Sequence, residues 1–328
     1  MNAKQKIDPV KLYQTKEYYD DIRKNLVDFP VLLLLEGSAY CNMTCIMCLR
    51  RLHVPERDKT GLGVGHMSLD LIKKIVEECK GRKQFLGIHF AEFGEPLMNP
   101  KISEMVSFIS KAGIKSQIVT NGLLLNDEMI KSLIDSGLTK IKVSFQGATP
   151  EKYKFWRNND FYDNIVKNVH NMVKIRNNMG SDLFIQVGTS SCDDTEEELK
   201  QFMDYWNQIV DHVYWNYTGL LHMKGDPLIK DVKILRQAPL KVNPCKELFL
   251  RMSVTWNGKV TQCPRDEQHF TGDLNTQTIH EVWHSKKVNE NRTIILEKGN
   301  CLPLCDHCVE QPKETLNYNY KYKTNATI

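Results

Sequence analysis

From Val31 onward, short apolar runs alternate with longer amphipathic stretches. The apolar runs near 31–37, 85–91, 115–120, 139–145, 183–190 and 212–217 have the length and residue types of strands. Between them, near 68–80, 100–112, 126–136, 150–178 and 193–210, the sequence predicts helices. Ser68 stands as a cap before Leu69, Ile72, Ile75 and Val76, an apolar stripe at helical spacing. Asn126-Asp127 opens another helix, with Ile130, Leu133 and Ile134 on one face and Gly137 at its end. Strands alternating with helices predict a parallel sheet. Six such units span about 190 residues, too few for a closed eight-stranded barrel of roughly 250 residues. The expected fold class is therefore α/β, an open, partial (β/α)6 TIM-like barrel.

The periodicity lapses over 226–244, which is read as a linker. Beyond it, Leu250 to Cys263 predicts a hairpin turning at Asn257-Gly258, and a short helix near 278–287 would turn Ile279, Val282 and Trp283 inward. The expected organisation is a polar, helix-compatible extension over 1–30, anchored by Tyr13, Tyr18 and Tyr19, and a barrel over 31–225. The linker, a small hairpin-plus-helix domain over 245–310 and a tail over 311–328 follow.

Composition narrows the classes. The chain has 328 residues, 41% hydrophobic and 26% charged, so neither disorder nor a fibre fits. Its 44 basic residues exceed its 40 acidic ones without a long block of either sign, which argues against a dedicated nucleic-acid binder. The run Val31 to Leu35 is too short for a signal-peptide core or a membrane span, so a cytoplasmic location and no membrane partner are expected. Seven of the ten cysteines fall in two groups with ligand-like spacing, which points to metal rather than disulfides.

Cys41, Cys45 and Cys48 form C-x3-C-x2-C in a loop directly after the first strand, where a parallel barrel presents its active face. Three thiolates can hold three irons of a 4Fe-4S centre and leave the fourth open to a ligand that is not protein. Zinc is the alternative, with His53 or His66 as the nearest fourth ligand. The Gly61-Leu62-Gly63-Val64-Gly65 run follows this loop rather than a strand and is read as a flexible connector.

The segment CNMTCIMC after a first strand resembles the cluster loop of the radical S-adenosylmethionine superfamily. That resemblance implies S-adenosylmethionine chelated to the open iron, and its reductive cleavage to a 5′-deoxyadenosyl radical. It also implies cofactor contacts from Met47 near the adenine and from Gly94, Glu95 and Pro96 at the cofactor's amino group. Thr120-Asn121-Gly122 and Ser144 would line the ribose and methionine, and Arg157 would reach the carboxylate. Met47 departs from the aromatic residue usual at its place, as Phe93 does from a glycine.

Cys245 and Cys263 bracket the hairpin, and Cys305 and Cys308 form a C-x2-C pair, together a complete four-thiolate set. A four-cysteine zinc ribbon is the alternative. The spacing, Asp273-Leu274, the helix with Trp283 and the closing CDHC resemble the auxiliary-cluster domain called SPASM in its shorter twitch form. That implies a second 4Fe-4S cluster.

Of the remaining cysteines, Cys79 is read as a buried apolar residue, Cys192 as an ordinary loop thiol or a hydrogen-atom donor to a substrate radical, and Cys301 as a spare cluster ligand or such a donor. Resemblance to twitch-domain dehydrogenases and epimerases implies oxidation or epimerisation of a carbinol carbon in a sugar or aminocyclitol. A peptide-modifying maturase and a non-catalytic iron–sulfur electron carrier are the alternatives. A one-electron reductase such as a flavodoxin or ferredoxin would be the partner. Tyr214, Trp215 and Asn216 on the sixth strand are candidates to face the substrate, with half of them turned away by alternation.

Overall fold

The computed structural model describes residues 27–51, 62–220, 223, 225–235, 245, 247–266, 268–298, 302 and 305. The expected N-terminal extension up to 26, the linker beyond 235, the tail, Cys301 and Cys308 lie outside these residues.

Six strands arise where the apolar runs predict them: β1 (Leu32–Leu35), β2 (Gly87–Phe90), β3 (Ser116–Thr120), β4 (Lys140–Gln146), β5 (Phe184–Ser191) and β6 (His212–Tyr217). They pair in sequence order and all in parallel. The crossovers carry α1 (Leu69–Cys79), α2 (Ile102–Lys111), α3 (Asp127–Asp135), α4 (Pro150–Arg157), α5 (Tyr162–Asn178) and α6 (Glu196–Asn207). The Ser68 and Asn126 side chains accept from Leu71 N and Met129 N, as N-caps should. This is the open, partial β/α barrel.

Alternation sorts the two faces of the sheet. Ile141, Val143 and Phe145 belong to the main apolar core, as do Ile185, Val187 and Val213. The intervening positions, Lys142, Ser144, Gln186, Gly188, Tyr214 and Asn216, share the opposite, inner face by register. Gly188 lets the Tyr214 ring lie across β5, since a Cβ would fall 2.0 Å from that ring. Of the sixth-strand candidates, Trp215 packs on the core, while Tyr214 and Asn216 alternate to the inner face.

The single helix expected over 150–178 is two. Asn158 adopts φ 55°, ψ 38°, closing α4 in a left-handed cap before α5 begins. The break frees the end of α4 to meet the cysteine loop, where Ile46 N donates to Trp156 O at 3.0 Å and Asn158 Nδ2 to Thr44 Oγ1 at 3.1 Å.

The expected flexible connector also differs at its described end. Leu62 is buried, Gly65 O accepts from Ala39 N at 2.9 Å, and a Cβ on Gly65 would lie 2.4 Å from the Trp256 ring. The glycine serves close packing of an indole against backbone, so this end is pinned behind the cysteine loop.

After the barrel come α7 (Glu247–Leu250), β7 (Arg251–Val254), β8 (Lys259–Thr261), β9 (Gly272–Asp273), α8 (Ile279–Trp283) and α9 (Lys286–Lys298). The hairpin turns at Gly258, whose φ is +88°. β7 pairs in parallel with β1, so one nine-stranded sheet runs through both parts of the chain. Ile279, Val282 and Trp283 are buried as their spacing predicts. Buried Arg292 ties α9 back, donating to Leu248 O and Trp283 O at 2.9 and 2.8 Å.

Candidate active site at the cysteine loop

The loop after β1 is held from three sides. Glu95 N donates to Tyr40 O at 2.7 Å, Arg50 Nε to Ala39 O at 3.2 Å, and Arg157 Nη1 to Cys45 Sγ at 3.5 Å. Gly94 lies so close beneath it that a Cβ would fall 1.6 Å from Ser38 O. Only a glycine permits that approach of two backbones.

Glu95 is 2% exposed and collects three donors: Thr120 Oγ1 at 2.8 Å, Asn121 N at 2.8 Å and Leu97 N at 3.1 Å. Burial pushes its carboxyl above the usual range, opposed by those three hydrogen bonds. It braces the turn after β3 against the loop that carries it. An ionised carboxylate has about four acceptor positions, so room remains for one further donor. Pro96 starts a short 3-10 helix behind Glu95. Asn121 Nδ2 reaches the cysteine loop itself, donating to Asn42 Oδ1 at 2.8 Å. Asn42 is a site residue that spacing alone does not reveal, since only its position between two cysteines marks it.

Arg157 sits in the last turn of α4, buried, and also donates through Nη2 to Ser144 O. Its Nε has no hydrogen-bond partner among the described residues. Burial works against its charge, but the sulfurs of Cys45 and Cys48 hold its pKa above the ordinary value. Ser144, at the inner face near the end of β4, is thereby fixed relative to Cys45. Met47 packs at the junction of the main core with the patch containing Ile46, Trp156 and Cys192.

The three thiols suit a metal cluster. All are free cysteines; burial raises Cys41 above the usual thiol value and pushes Cys48 up to about 11. Buried thiols become thiolates when a cation takes the proton's place. The vacant Arg157 Nε and the last acceptor position of Glu95 flank them with one donor and one acceptor, which fits an amino-acid group bound beside the cluster.

The second group is assembled from separate segments. Cys305 is buried in a small apolar cluster with Leu248, Phe249, Leu250 and Leu302, against which Cys245 and Cys263 also pack. At the ends of β1, β2 and β7 lies a small cavity of about 10 Å³, with Glu36, Glu92 and Asp266 in its wall. Glu92 takes φ 83°, a left-handed conformation that costs a non-glycine residue about 1–3 kcal/mol and is concentrated at functional sites.

Cys192 is fully buried with Ile46 and Trp156, and burial pushes its thiol up to about 12. It neighbours the cysteine loop but is sealed from solvent. Cys79 is a core residue of α1.

Residues 35–205 match the radical SAM superfamily, and residues 245–309 match the SPASM iron–sulfur cluster-binding domain. Among curated relatives, the chain is 34% identical over 112 residues to a tungsten-containing aldehyde ferredoxin oxidoreductase cofactor-modifying protein of Pyrococcus furiosus. That match covers 34% of this chain and 30% of the relative. It is 31% identical over 119 residues to the PqqA peptide cyclase of Rhodopseudomonas palustris, covering 36% and 29% of the two chains. The matched segment spans less than half the length of these relatives. In fold, the chain resembles Streptococcus suis SuiB bound to precursor peptide SuiA, with TM-score 0.61, 13% identity and coverage of 89% of this chain and 74% of that one. It also resembles anSMEcpe with bound AdoMet, with TM-score 0.51, 16% identity and coverage of 80% and 83%.

Proposed function

Because this chain belongs to the radical SAM superfamily and carries a SPASM cluster-binding domain, we propose that it takes a hydrogen atom from a carbinol carbon of a sugar or aminocyclitol and oxidises that carbon to a carbonyl. The family's cofactors are S-adenosylmethionine and 4Fe-4S clusters; bound here, they supply a 5′-deoxyadenosyl radical and an acceptor for one electron.

Cys41, Cys45 and Cys48 would hold the active-site irons, and Cys245, Cys263, Cys305 and Cys308 would hold the auxiliary ones. Arg157 and Glu95 position the cofactor's carboxylate and ammonium through charge-assisted hydrogen bonds. The observation that carries the substrate class is the inner face of the sheet, where Ser144, Gln186, Tyr214 and Asn216 stand on adjacent rigid strands. Hydroxyl and amide groups at fixed strand positions suit a polyhydroxylated molecule.

Burial argues against Cys192 as the thiol that would return hydrogen in an epimerisation. A thiol that returns hydrogen to the substrate must touch it, and Ile46 and Trp156 cover this one. Going from carbinol to carbonyl removes one hydrogen atom, one electron and one proton from the substrate; groups held by the two cysteine sets would take the first two, and the proton would pass to the medium. A flavodoxin or ferredoxin fits as the electron donor for cofactor cleavage.

A second reading, a peptide-modifying maturase, draws on the similarity to PqqA peptide cyclases. One experiment separates the two. Air-free reconstituted protein is incubated with reductant, S-adenosylmethionine and panels of aminocyclitols, sugars and peptides. The proposal requires 5′-deoxyadenosine and carbonyl product in equal amounts from a polyol, with no deuterium at carbon in deuterated water. Loss of two hydrogens from a peptide alone would establish the maturase instead, and no 5′-deoxyadenosine at all would leave only an electron carrier.

A further inference from the structure

His280 and His284 are the outer residues of the run His280-Glu281-Val282-Trp283-His284, an H-x3-H spacing at one helical turn. α8 and its C-cap set the two imidazoles side by side, ring centroids 4.4 Å apart. The carboxylate of Asp28, on the segment leading into β1, lies 3.7 Å from His280 Nε2 and 3.4 Å from His284 Nε2. One ligand atom from each residue falls within 4.8 Å of the others.

We propose that Asp28, His280 and His284 bind a divalent transition metal, with zinc the best match to two imidazoles and a carboxylate. Zinc bonds to nitrogen and oxygen of about 2.0–2.2 Å in tetrahedral geometry place ligand atoms roughly 3.3 Å apart. The carboxylate-to-imidazole distances meet that after a shift of a few tenths of an ångström. The fourth position is open to water.

The site clasps two distant parts of the chain. Trp283 Nε1 already donates to Val27 O at 2.9 Å, and His284 Nε2 contacts Asp28 O at 2.8 Å, so the lead-in to β1 rests on α8 before any metal arrives. Metal uptake exchanges the His284 contact for coordination. Hydrolysis is not expected despite the open position, so the role is that of a clasp. Glu281, which in an H-E-x-x-H hydrolase would activate water, is committed to the capping box: its Oε2 accepts from Thr278 N at 2.7 Å and Thr278 Oγ1 at 3.0 Å. All three ligands are at least a third exposed at their side chains, so their replacement leaves the core intact.

The test uses holoprotein with its iron–sulfur centres reconstituted, dialysed air-free against micromolar zinc with a weak competing chelator. Zinc and iron are then counted together. The proposal expects about one zinc per chain with iron unchanged, loss of that zinc in the His280→Ala/His284→Ala double variant, and zinc binding weakened at least about ten-fold in Asp28→Asn. Zinc should also raise the melting temperature of the wild type and not of the double variant. Equal zinc in wild type and double variant, or none in the wild type, would overturn it and leave a simple imidazole–carboxylate pairing. The readout is independent of 5′-deoxyadenosine formation, so it stands or falls apart from the catalytic proposal.

Discussion

The two cysteine groups of this chain reach their geometry by opposite routes. Cys41, Cys45 and Cys48 lie within eight consecutive residues, so one loop makes them neighbours before the rest of the chain has folded. What the fold adds is the surround: Gly94 against Ser38 O, Glu95 bridging to Thr120 and Asn121, and Arg157 on Cys45 Sγ. Cys245, Cys263 and Cys305 come from the approach to α7, the end of the hairpin and a point beyond α9, and they meet at the Leu248–Leu250 and Leu302 apolar cluster. The first group is local and guarded by tertiary contacts, whereas the second is itself a tertiary contact. Metal binding at the second group would therefore be coupled to folding more tightly than at the first.

The largest effect should come from removing one thiol at each place. Cys45→Ala is expected to lower iron by about half and 5′-deoxyadenosine formation by more than about 10³-fold, with little change in thermal unfolding. Cys263→Ala should also cost about half the iron, keep 5′-deoxyadenosine formation, stop product release as carbonyl, and lower the melting temperature by several degrees, roughly 2–4 °C per kcal/mol lost. Equal thermal effects of the two variants would break the distinction.

Glycine replacements sharpen it next. Gly94→Ala drives a methyl into the Ser38 carbonyl, so it should cost about 3 kcal/mol or more in urea unfolding and weaken cofactor cleavage at least about ten-fold. Gly258→Ala, at φ +88° in the hairpin turn, meets the Asn275 side chain rather than backbone and should cost about 1–2 kcal/mol with cleavage intact.

The smallest effect concerns the ion pair behind α4. Burial opposes it, but Lys152 and the Thr195 cap bring the Glu198 carboxyl down to about 2. Its folded value is below its unfolded one, so its contribution is complete above the ordinary glutamate range and is lost as pH falls toward 2. Water screens the pair, which limits the contribution to under about 1 kcal/mol. Unfolding free energies from pH 6 to 3 should fall less steeply in Lys152→Met. The Lys259–Asp273 pair of the hairpin, where Asp273 is likewise lowered despite some burial, should give Lys259→Met a similar small change.

Much of the barrel was legible because its signals are local. Each strand is a short apolar run, and the caps at Ser68 and Asn126 need only neighbours a few residues away. The break at Asn158 was missed because the apolar stripe resumes in α5 at helical spacing, masking one left-handed residue. The pinned end of the glycine run was missed because its partner, Trp256, lies in a different segment, beyond β7. Asn42 gave no signal of its own, as its partner Asn121 is far along the chain.

By itself the sequence determined the order of strands and helices, the three-thiol loop and the cysteines available for a second centre. Periodicity and spacing are short-range properties that each segment carries alone. Only the tertiary structure decided that β7 would join β1, that Cys192 would be sealed under Ile46 and Trp156, that Glu95 would become a brace, and that Asp28 would meet His280 and His284. Those outcomes depend on which surfaces close on one another once loops are formed, and shape complementarity between distant segments leaves no periodic trace in either of them.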